Sequence, residues 1–400
     1  MIEVHCPILE ELSQIWENNL RERYGESFPL INEAVGRLKL IANKFYELKL
    51  NDDHFTSEIL SKDSYKYEQR MSEILFSDRL IRDGYQISSK KKGPDFKAEK
   101  NGLVTWFEVI TPAPEHKLAL QFQDLTYGLN PTHEGTHLAN LTSLLKTTQS
   151  VQEKYKKIDG YIKDKIISKN DSTVIVINDS LLFPLNDYMI GLTCEVAEGY
   201  SGLPLIVEAL VGIGQCYFHP NEDNENYQIV REFNRFINKT NGSPVETNLF
   251  LTDTYKEISG VFVLTLREDY GLAEVIFEHK KSKKNRGTFL TNPNTSRPFI
   301  KENLTANYIN HEHLIHILNP SDSHPTNALI TKTLAGHYLD LMNYLDYIRQ
   351  LYIDAGILFF DKVKNKIVVS PEALEIGVDK YQLNYDESTG YPISVTLIKE

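Results

Sequence analysis

The sequence is poor in cysteine and has no long apolar run. Its 400 residues include 3 cysteines, and these lie too far apart along the chain for the paired spacing of a zinc ribbon or a disulfide framework. No stretch reaches about eighteen consecutive apolar residues, so we expect no membrane span. The first residues lack a basic segment followed by an apolar run, so we expect no signal peptide. These absences favour a protein of the reducing cytoplasm.

Basic residues are in the minority as well. The chain has 43 Lys and Arg against 55 Asp and Glu, which gives a formal net charge of −12. This balance argues against a surface covered with nucleic-acid-binding residues, although a local basic patch can still bind phosphate. The apolar fraction of 41% is typical of a globular protein. A chain of this length suits two domains, or one large core with additions.

The most informative pattern in the chain lies between residues 67 and 112. Its first part predicts an amphipathic helix that carries Glu73 and ends at Asp83-Gly84. A short strand (86–88) and a basic turn (90–92) are expected next. The residues Gly-Pro-Asp-Phe at 93–96 then lead into a second strand and place Asp95 at its start.

A hairpin should join this second strand to a third one. Asn101-Gly102 is a strong turn signal, because both residues tolerate positive φ. The third strand, 103–110, carries Glu108 close to its end. Asp95 and Glu108 are therefore predicted to lie on paired antiparallel strands. Two carboxylates held in this way can bind a hard divalent cation through oxygen.

This order of residues resembles the restriction-endonuclease-like superfamily, the PD-(D/E)xK nucleases, in which a helix glutamate is followed by Pro-Asp and by a strand that ends in an apolar residue and Glu. More narrowly, it resembles a group of uncharacterised bacterial proteins that share the Gly-Pro-Asp-Phe motif, the apolar-Glu strand and a later apolar-Asn strand. The resemblance covers residues 65 to 300 approximately. It implies an α/β fold with a mixed sheet flanked by helices.

The resemblance also implies a function. We expect a divalent-metal-dependent nuclease that hydrolyses phosphodiester bonds of DNA or RNA with Mg²⁺ or Mn²⁺. Asp95, Glu108 and the carbonyl of Val109 would bind the metal, and Glu73 would support them. Magnesium keeps several waters and typically takes one or two carboxylates together with substrate oxygens, so this donor set is sufficient.

The sequence departs from the superfamily pattern at one position. The usual lysine two residues after the strand glutamate is Ile110 here. In some members of the superfamily this lysine comes from a neighbouring helix, and the helix predicted from about 138 to 168 offers candidates. Lys154 follows Lys146-Thr147-Thr148, a spacing similar to that of the bacterial group, and Lys157 is the next choice one turn along. We predict that Lys154 assists the attacking water.

Two other functions stay open at this point. With Ile110 in place of lysine, the same fold can serve as a binding or regulatory module with a degenerate site. The residues His133-Glu134-Gly135-Thr136-His137 also fit the HExxH pattern of a zinc peptidase, in which the two histidines bind zinc and Glu134 acts as a general base. Pro131 and Gly135 disfavour the helix that such a motif needs.

A basic segment in an acidic chain is a further candidate site. Residues 279–287 read HKKSKKNRG and follow a strand predicted at 273–277. They are either a solvated loop that protects a strand edge or a clamp that grips the phosphate backbone of nucleic acid. The clamp would use Lys280, Lys281, Lys283, Lys284 and Arg286.

The remaining sequence suggests three regions. Residues 1–64 are expected to form a helical N-terminal arm, 65–300 a nuclease-like α/β core, and 301–400 a small α/β region with a helix at 327–354 followed by short strands. Within the core, 172–178 reads as a buried parallel strand, 203–213 as a strand or buried segment, and 220–248 as a loop with a short helix near 230–237. Strands at 260–266 and 273–277 are expected to pair. The sequence leaves open whether the chain forms a homo-oligomer or binds a protein partner.

Overall fold

The computed structural model describes most of the first 310 residues and four short strands in the tail. The described residues are 5–25, 30–89, 92–114, 133–182, 203–220, 227–239, 241–280, 287–310, 358–361, 366–369, 381–385 and 392–397. The helices are α1 (Leu9–Tyr24), α2 (Ile31–Glu47), α3 (Phe55–Ile59), α4 (Ser64–Arg82), α5 (His133–Lys163), α6 (Leu205–Val211) and α7 (Asp269–Lys280). No helix in this part of the chain has the length and apolar character needed to cross a bilayer.

The strands follow the same chain order. They are β1 (Gln86–Ser88), β2 (Phe96–Lys100), β3 (Leu103–Ile110), β4 (Ser172–Asn178), β5 (Ile213–Pro220), β6 (Tyr227–Phe233), β7 (Phe236–Asn238), β8 (Pro244–Glu246), β9 (Gly260–Leu264), β10 (Thr288–Thr291), β11 (Asn307–Ile309), β12 (Leu358–Asp361), β13 (Lys366–Val369), β14 (Tyr381–Tyr385) and β15 (Pro392–Leu397).

Among the described residues, seven strands form one mixed sheet in the order β1-β2-β3-β4-β9-β10-β11. The strands β1, β2 and β3 pair antiparallel, and β3, β4 and β9 pair parallel. Helix α5 connects β3 to β4, so the predicted βαβ unit is present. The α/β class with a mixed sheet flanked by helices is therefore confirmed. The parallel strands β3, β4 and β9 all end at one edge of the sheet.

Apolar side chains on β3 alternate between two hydrophobic layers. Phe107 and Val109 face the layer that contains α1, α2, α4 and α7, whereas Trp106 and Ile110 face the layer that contains α5 and α6. Because successive strand residues point to opposite faces, Glu108 is directed to the α5 side. The sheet thus sets which helix can contact this carboxylate.

The helical structure expected for the N-terminal region is present. Buried residues of α1 and α2, such as Trp16 and Phe45, belong to the same hydrophobic cluster as Phe262 of the sheet. Helices α2 and α7 approach closely, since a Cβ at Gly271 would lie 2.7 Å from the Ala34 carbonyl oxygen. These helices therefore cover one face of the sheet. The boundary placed at residue 64 stays a prediction.

Some predicted elements were wrong. Residues 273–277 belong to helix α7 rather than to a strand, and the antiparallel partner of β9 is β10. The segment 230–237 contains β6 and β7 instead of a short helix, because pairing with β5 and β8 outweighs its local sequence. Residues 205–211, within the segment predicted as a strand or a buried segment, are buried and form a helix that Gly212 ends with φ of +73°. Short buried apolar runs do not distinguish a helix from a strand by periodicity alone.

Other predictions lie wholly or partly outside the described residues. The helix at 327–354 is among them, as is most of the basic segment at 279–287. In the tail, the short strands that the sequence predicts are present: β12 pairs with β13 and β14 pairs with β15, both antiparallel.

Candidate active site

The hairpin between β2 and β3 places two carboxylates side by side. Asn101 and Gly102 have φ of +55° and +75°, as the sequence predicted for a tight turn. The resulting register pairs Phe96 with Phe107, so Asp95 comes opposite Glu108. One oxygen of Asp95, Oδ2, accepts a hydrogen bond of 2.6 Å from the backbone N–H of Val109. The start of β2 is thereby tied to the end of β3.

Helix α4 brings Glu73 to the same end of β3 through a glutamine that sequence reasoning missed. The amide of Gln69 donates to Glu73 Oε1 at 3.1 Å and to the Val109 carbonyl at 3.4 Å. Its own carbonyl oxygen accepts from the Thr111 N–H at 2.8 Å. Gln69 therefore holds both Glu73 and the carbonyl that was predicted to bind metal. Its position one helical turn before Glu73 was the signal available in the sequence.

Arg70 is a second residue that sequence reasoning missed. One guanidinium nitrogen, Nη1, donates to both oxygens of Glu73 at 3.2 and 3.0 Å. Its Nη2 lies 3.0 Å from Asp52 and 2.6 Å from Glu58. Both oxygens of Glu73 are thus already bonded, which suits a supporting carboxylate better than a direct metal ligand.

Helix α5 supplies the lysine side chain that β3 lacks. The Lys154 ammonium donates to Glu108 Oε1 at 2.7 Å, and the side chains are only 11% and 3% exposed. Lys157 lies 3.7 Å from the same oxygen, with its side chain 57% exposed. The structure therefore brings together Glu73, Asp95, Glu108 and Lys154. Their catalytic roles remain predictions.

The electrostatics of this cluster show a shortage of positive charge. Burial raises the pKa of Glu73 to about 8, and the charge of Asp95 adds to the rise despite the bonds from Arg70 and Gln69. Burial and Asp95 also raise the pKa of Glu108 to about 6, against the lowering effect of Lys154. Burial by itself would lower the pKa of Lys154, but the charges of Glu108 and Asp95 raise it above its ordinary value. Lys154 is therefore an ammonium at neutral pH.

A buried polar layer supports the cluster from the neighbouring strands. Asn178, at the end of β4, donates from Nδ2 to the Thr111 hydroxyl at 3.3 Å and to the Leu266 carbonyl at 2.9 Å. The Thr111 hydroxyl also bonds to Ser72 of α4 at 3.1 Å. This layer joins the ends of β3, β4 and β9 to helix α4. It fixes the backbone that carries Glu108 and Val109.

Two other predicted sites cannot be placed in the same detail. The HExxH segment forms the first turn of α5, but the side chains of His133, Glu134 and His137 lie outside the described residues. Lys280 is the last residue of α7, and Lys281–Arg286 lie outside the described residues as well. The zinc site and the phosphate clamp stay predictions. Within the part of the chain that the structure describes, no three His, Cys, Asp or Glu side chains converge closely enough to suggest a metal site.

Comparison with protein-family models, with curated proteins and with solved structures finds no match to this chain.

Proposed function

We propose that the chain hydrolyses phosphodiester bonds of nucleic acid with a divalent cation, Mg²⁺ or Mn²⁺, on a restriction-endonuclease-like core. One observation carries this proposal. At the carboxyl edge of the parallel strands, the charge of Asp95 raises the pKa of both Glu73 and Glu108, and the buried Lys154 from α5 bonds to Glu108 at 2.7 Å. A ligand site outside the carboxyl ends of parallel strands is the usual arrangement in open α/β sheets.

The donor chemistry fits a hard divalent cation. Asp95 and Glu108 each use one oxygen for a protein hydrogen bond, to Val109 and Lys154. Asp95 Oδ1 and Glu108 Oε2 make no hydrogen bond within the described residues, and with the Val109 carbonyl they form an all-oxygen set. Two carboxylates suffice for Mg²⁺ when waters and substrate oxygens complete its coordination. A bound cation would polarise the scissile phosphate and lower the pKa of the attacking water.

Lys154 has a defined role in this proposal. Because its pKa is raised, it stays protonated and does not act as a general base. Its ammonium instead offers hydrogen bonds and positive charge beside Glu108, where charge develops on the phosphate in the transition state. Lys154 would thus take the place of the lysine that the superfamily carries where this chain has Ile110.

Glu73, Gln69 and Arg70 hold the framework of the proposed site. Gln69 keeps the Val109 carbonyl in place, and Arg70 keeps Glu73 beside Asp95. Residues that orient metal ligands are typically worth about 10- to 100-fold in metal affinity or activity. We assign these three residues to positioning.

A second function is favoured by one specific observation. Ile110, at the position of the superfamily's lysine, is 8% exposed and packs in the apolar layer against α5. The ion pair between Lys154 and Glu108 could then serve only to stabilise the fold. On this alternative the fold is a binding or regulatory module without hydrolytic activity.

Cleavage assays with matched variants distinguish the two functions. Wild type should cleave members of a broad panel of DNA and RNA substrates when Mg²⁺ or Mn²⁺ is present. Asp95→Asn and Glu108→Gln should abolish cleavage. Asp95→Asn should keep a thermal midpoint close to that of wild type, whereas Glu108→Gln leaves the buried Lys154 ammonium without its partner and should lower it. Glu99→Gln, an exposed carboxylate on β2, is the control and should cleave normally. Robust cleavage by the Asp95→Asn, Glu108→Gln double variant, or none by wild type across the panel, would contradict the nuclease assignment.

A further inference from the structure

A cavity opens at the C-terminal end of α5. Its volume is about 320 Å³, and basic side chains make up half of its lining. Lys165 and Lys169 are exposed, whereas Arg297 is buried. The lining residues are Ile162, Lys165, Ile167, Ser168, Lys169 and Arg297.

Two observations place the cavity close to the candidate active site. Along α5, Ile162 comes five residues after Lys157, which corresponds to about 7.5 Å of helix rise. Across the fold, Gly93 lies against Ile166, since a Cβ at Gly93 would be 3.3 Å from the Ile166 side chain. Ile166 stands between Lys165 and Ile167, which both line the cavity. Gly93 itself comes two residues before Asp95. The cavity therefore lies beside the segment that delivers Asp95 to the site.

Positive charge on this surface exceeds the negative charge that faces it. Lys157 lies 3.7 Å from Glu108, and 57% of its side chain is exposed to solvent. Arg297 is held in the cavity wall by Glu257 at 2.5 Å and by the Ser168 and Asp171 carbonyls.

The acidic side chains nearby are mostly engaged. Asp171 accepts hydrogen bonds from Trp106 Nε1 at 2.8 Å and from the Ser168 N–H. Asp159 pairs with Lys163 at 2.5 Å. Asp164 is exposed and is the acid that would oppose an anion here. Lys165 and Lys169 outnumber it, and Lys157 adds a positive charge that it shares with Glu108.

Tyr161 lies between the site and the cavity on α5. It follows Lys154 and Lys157 at spacings of seven and four residues, which place all three on one helix face. Burial raises the pKa of its phenol, and the charges of Glu108 and Asp95 raise it further. Its hydroxyl is thus within electrostatic range of the carboxylates. The helix face that contacts the site continues towards the cavity.

We propose that Lys157, Lys165 and Lys169 form a cationic track that binds the phosphate backbone of a nucleic-acid strand leading away from the site. The inference rests on the proposed function and adds where the substrate lies. Contacts of this kind position a strand without reading its sequence. The track would also offset the repulsion between a polyanion and a chain of net charge −12.

The test is the salt dependence of binding in a chelating buffer, where hydrolysis does not proceed. A short fluorescein-labelled single strand and its duplex are titrated by anisotropy between about 50 and 200 mM salt. The track variant combines Lys157→Gln, Lys165→Asn and Lys169→Gln; asparagine is chosen because Lys165 has φ of +58°. The control variant combines Lys39→Gln, Lys44→Gln and Lys156→Gln, which gives the same change in net charge.

For the single strand, losing three phosphate contacts should reduce the log–log salt slope by about 2, since each contact contributes about 0.7. The control should keep the wild-type slope. An unchanged slope in the track variant, or an equal fall in both variants, would overturn the track. If wild type cleaves nucleic acid while the track variant keeps its slope, only the track fails. If wild type neither binds nor cleaves, the proposed function fails too.

Discussion

Two groups of three carboxylates among the described residues differ in access to solvent. The open cluster, at the candidate site, consists of Glu73, Asp95 and Glu108 with Arg70 and Lys154. The enclosed cluster lies between α1, α4 and α7 and consists of Glu68, Glu268 and Asp269 with Arg23 and Arg267. Both thus hold three acids and two closely placed cations.

In the enclosed cluster, neighbouring protein groups compensate the negative charge of Glu268 and Asp269. Arg23 lies 3.5 Å from Glu268 and 3.2 Å from Asp269, and Tyr67 and Asn19 donate to Glu268 at 2.5 Å. Burial alone would raise the pKa of Glu268, but Arg23 and these hydrogen bonds lower it. The remaining acid, Glu68, is buried, and its Oε2 has no hydrogen-bond partner among the described residues.

Glu68 is the acid of the enclosed cluster to compare with the carboxylates of the candidate site. Burial and the charge of Glu268 raise the pKa of Glu68 to about 8, as burial and Asp95 do for Glu73 in the open cluster, so each cluster holds one acid that is protonated at neutral pH. In the open cluster, Asp95 is half-buried and Lys157 is mostly exposed. A cation and a phosphate can therefore approach from solvent. The excess of carboxylates over cations therefore suggests a structural role for the enclosed cluster and ligand binding for the open cluster.

The largest effect on stability should come from the enclosed cluster. Arg23→Ala leaves Glu268 and Asp269 buried without this cation, and removing one partner of a buried ion pair costs about 3–5 kcal/mol. Denaturant unfolding measures this loss. Arg21→Ala, on the same helix in a more exposed pair with Glu17, should cost no more than about 1 kcal/mol. Cleavage by folded Arg23→Ala at low temperature should match wild type, and a specific loss of activity would break the contrast between the clusters.

Lys154→Ala should have the largest effect on cleavage apart from loss of the carboxylates. Removing electrostatic stabilisation of this kind costs about 3 kcal/mol, or about a hundredfold in rate. Single-turnover rates measure it, with Lys156→Ala and Lys163→Ala as controls on the same helix. Without Lys154, the pKa of Glu108 should rise further above about 6, so residual activity should increase with pH. A wild-type rate in Lys154→Ala would show that its bond to Glu108 is only structural.

The pH dependence of stability should show a smaller effect of the enclosed cluster. Because the folded pKa of Glu68 is raised, its contribution to stability is fully present below the unfolded pKa of about 4.3 and is lost as pH rises through about 8. Glu68→Gln should remove this loss, so its thermal midpoint relative to wild type should rise by a few degrees between pH 5 and 8. Added Mg²⁺ should not change that difference. A difference independent of pH would show that Glu68 is already ionised.

Gln69→Leu should give the smallest of these effects. It removes the bonds to Glu73, Val109 and Thr111 but no charge, so we expect about tenfold weaker Mg²⁺ activation of cleavage. Gln149→Leu, an exposed glutamine on α5 that bonds to Glu153, is the control. Equal Mg²⁺ dependence in both variants would remove Gln69 from the site.

The open cluster was more accessible to sequence reasoning than the enclosed one, for physical reasons. Its strands and turn depend on local signals: Asn101-Gly102 sets the hairpin, and the β-branched run 172–178 predicts a buried parallel strand. Lys154 was predicted from a resemblance, because Lys146-Thr147-Thr148 and Lys154 are similar to the pattern of the bacterial group and some superfamily members carry the lysine on a neighbouring helix. Gln69 and Arg70 were missed because their partners Val109 and Glu58 are fixed by tertiary packing.

The enclosed cluster and helices α6 and α7 depend on distant parts of the chain. Arg23 meets Glu268 across 245 residues, which no local pattern reports. Helix α7 was taken for a strand because Val275 and Ile276 favour strands, whereas packing of α2 against Gly271 stabilises the helix.

The most direct test of this account is Mn²⁺ binding, followed by the electron paramagnetic resonance signal of the free ion. Wild type should remove Mn²⁺ from solution, Asp95→Asn and Glu108→Gln should not, and Glu68→Gln should behave as wild type. Absence of binding by wild type, or equal binding by Asp95→Asn, would contradict the claim that the open cluster is a cation site.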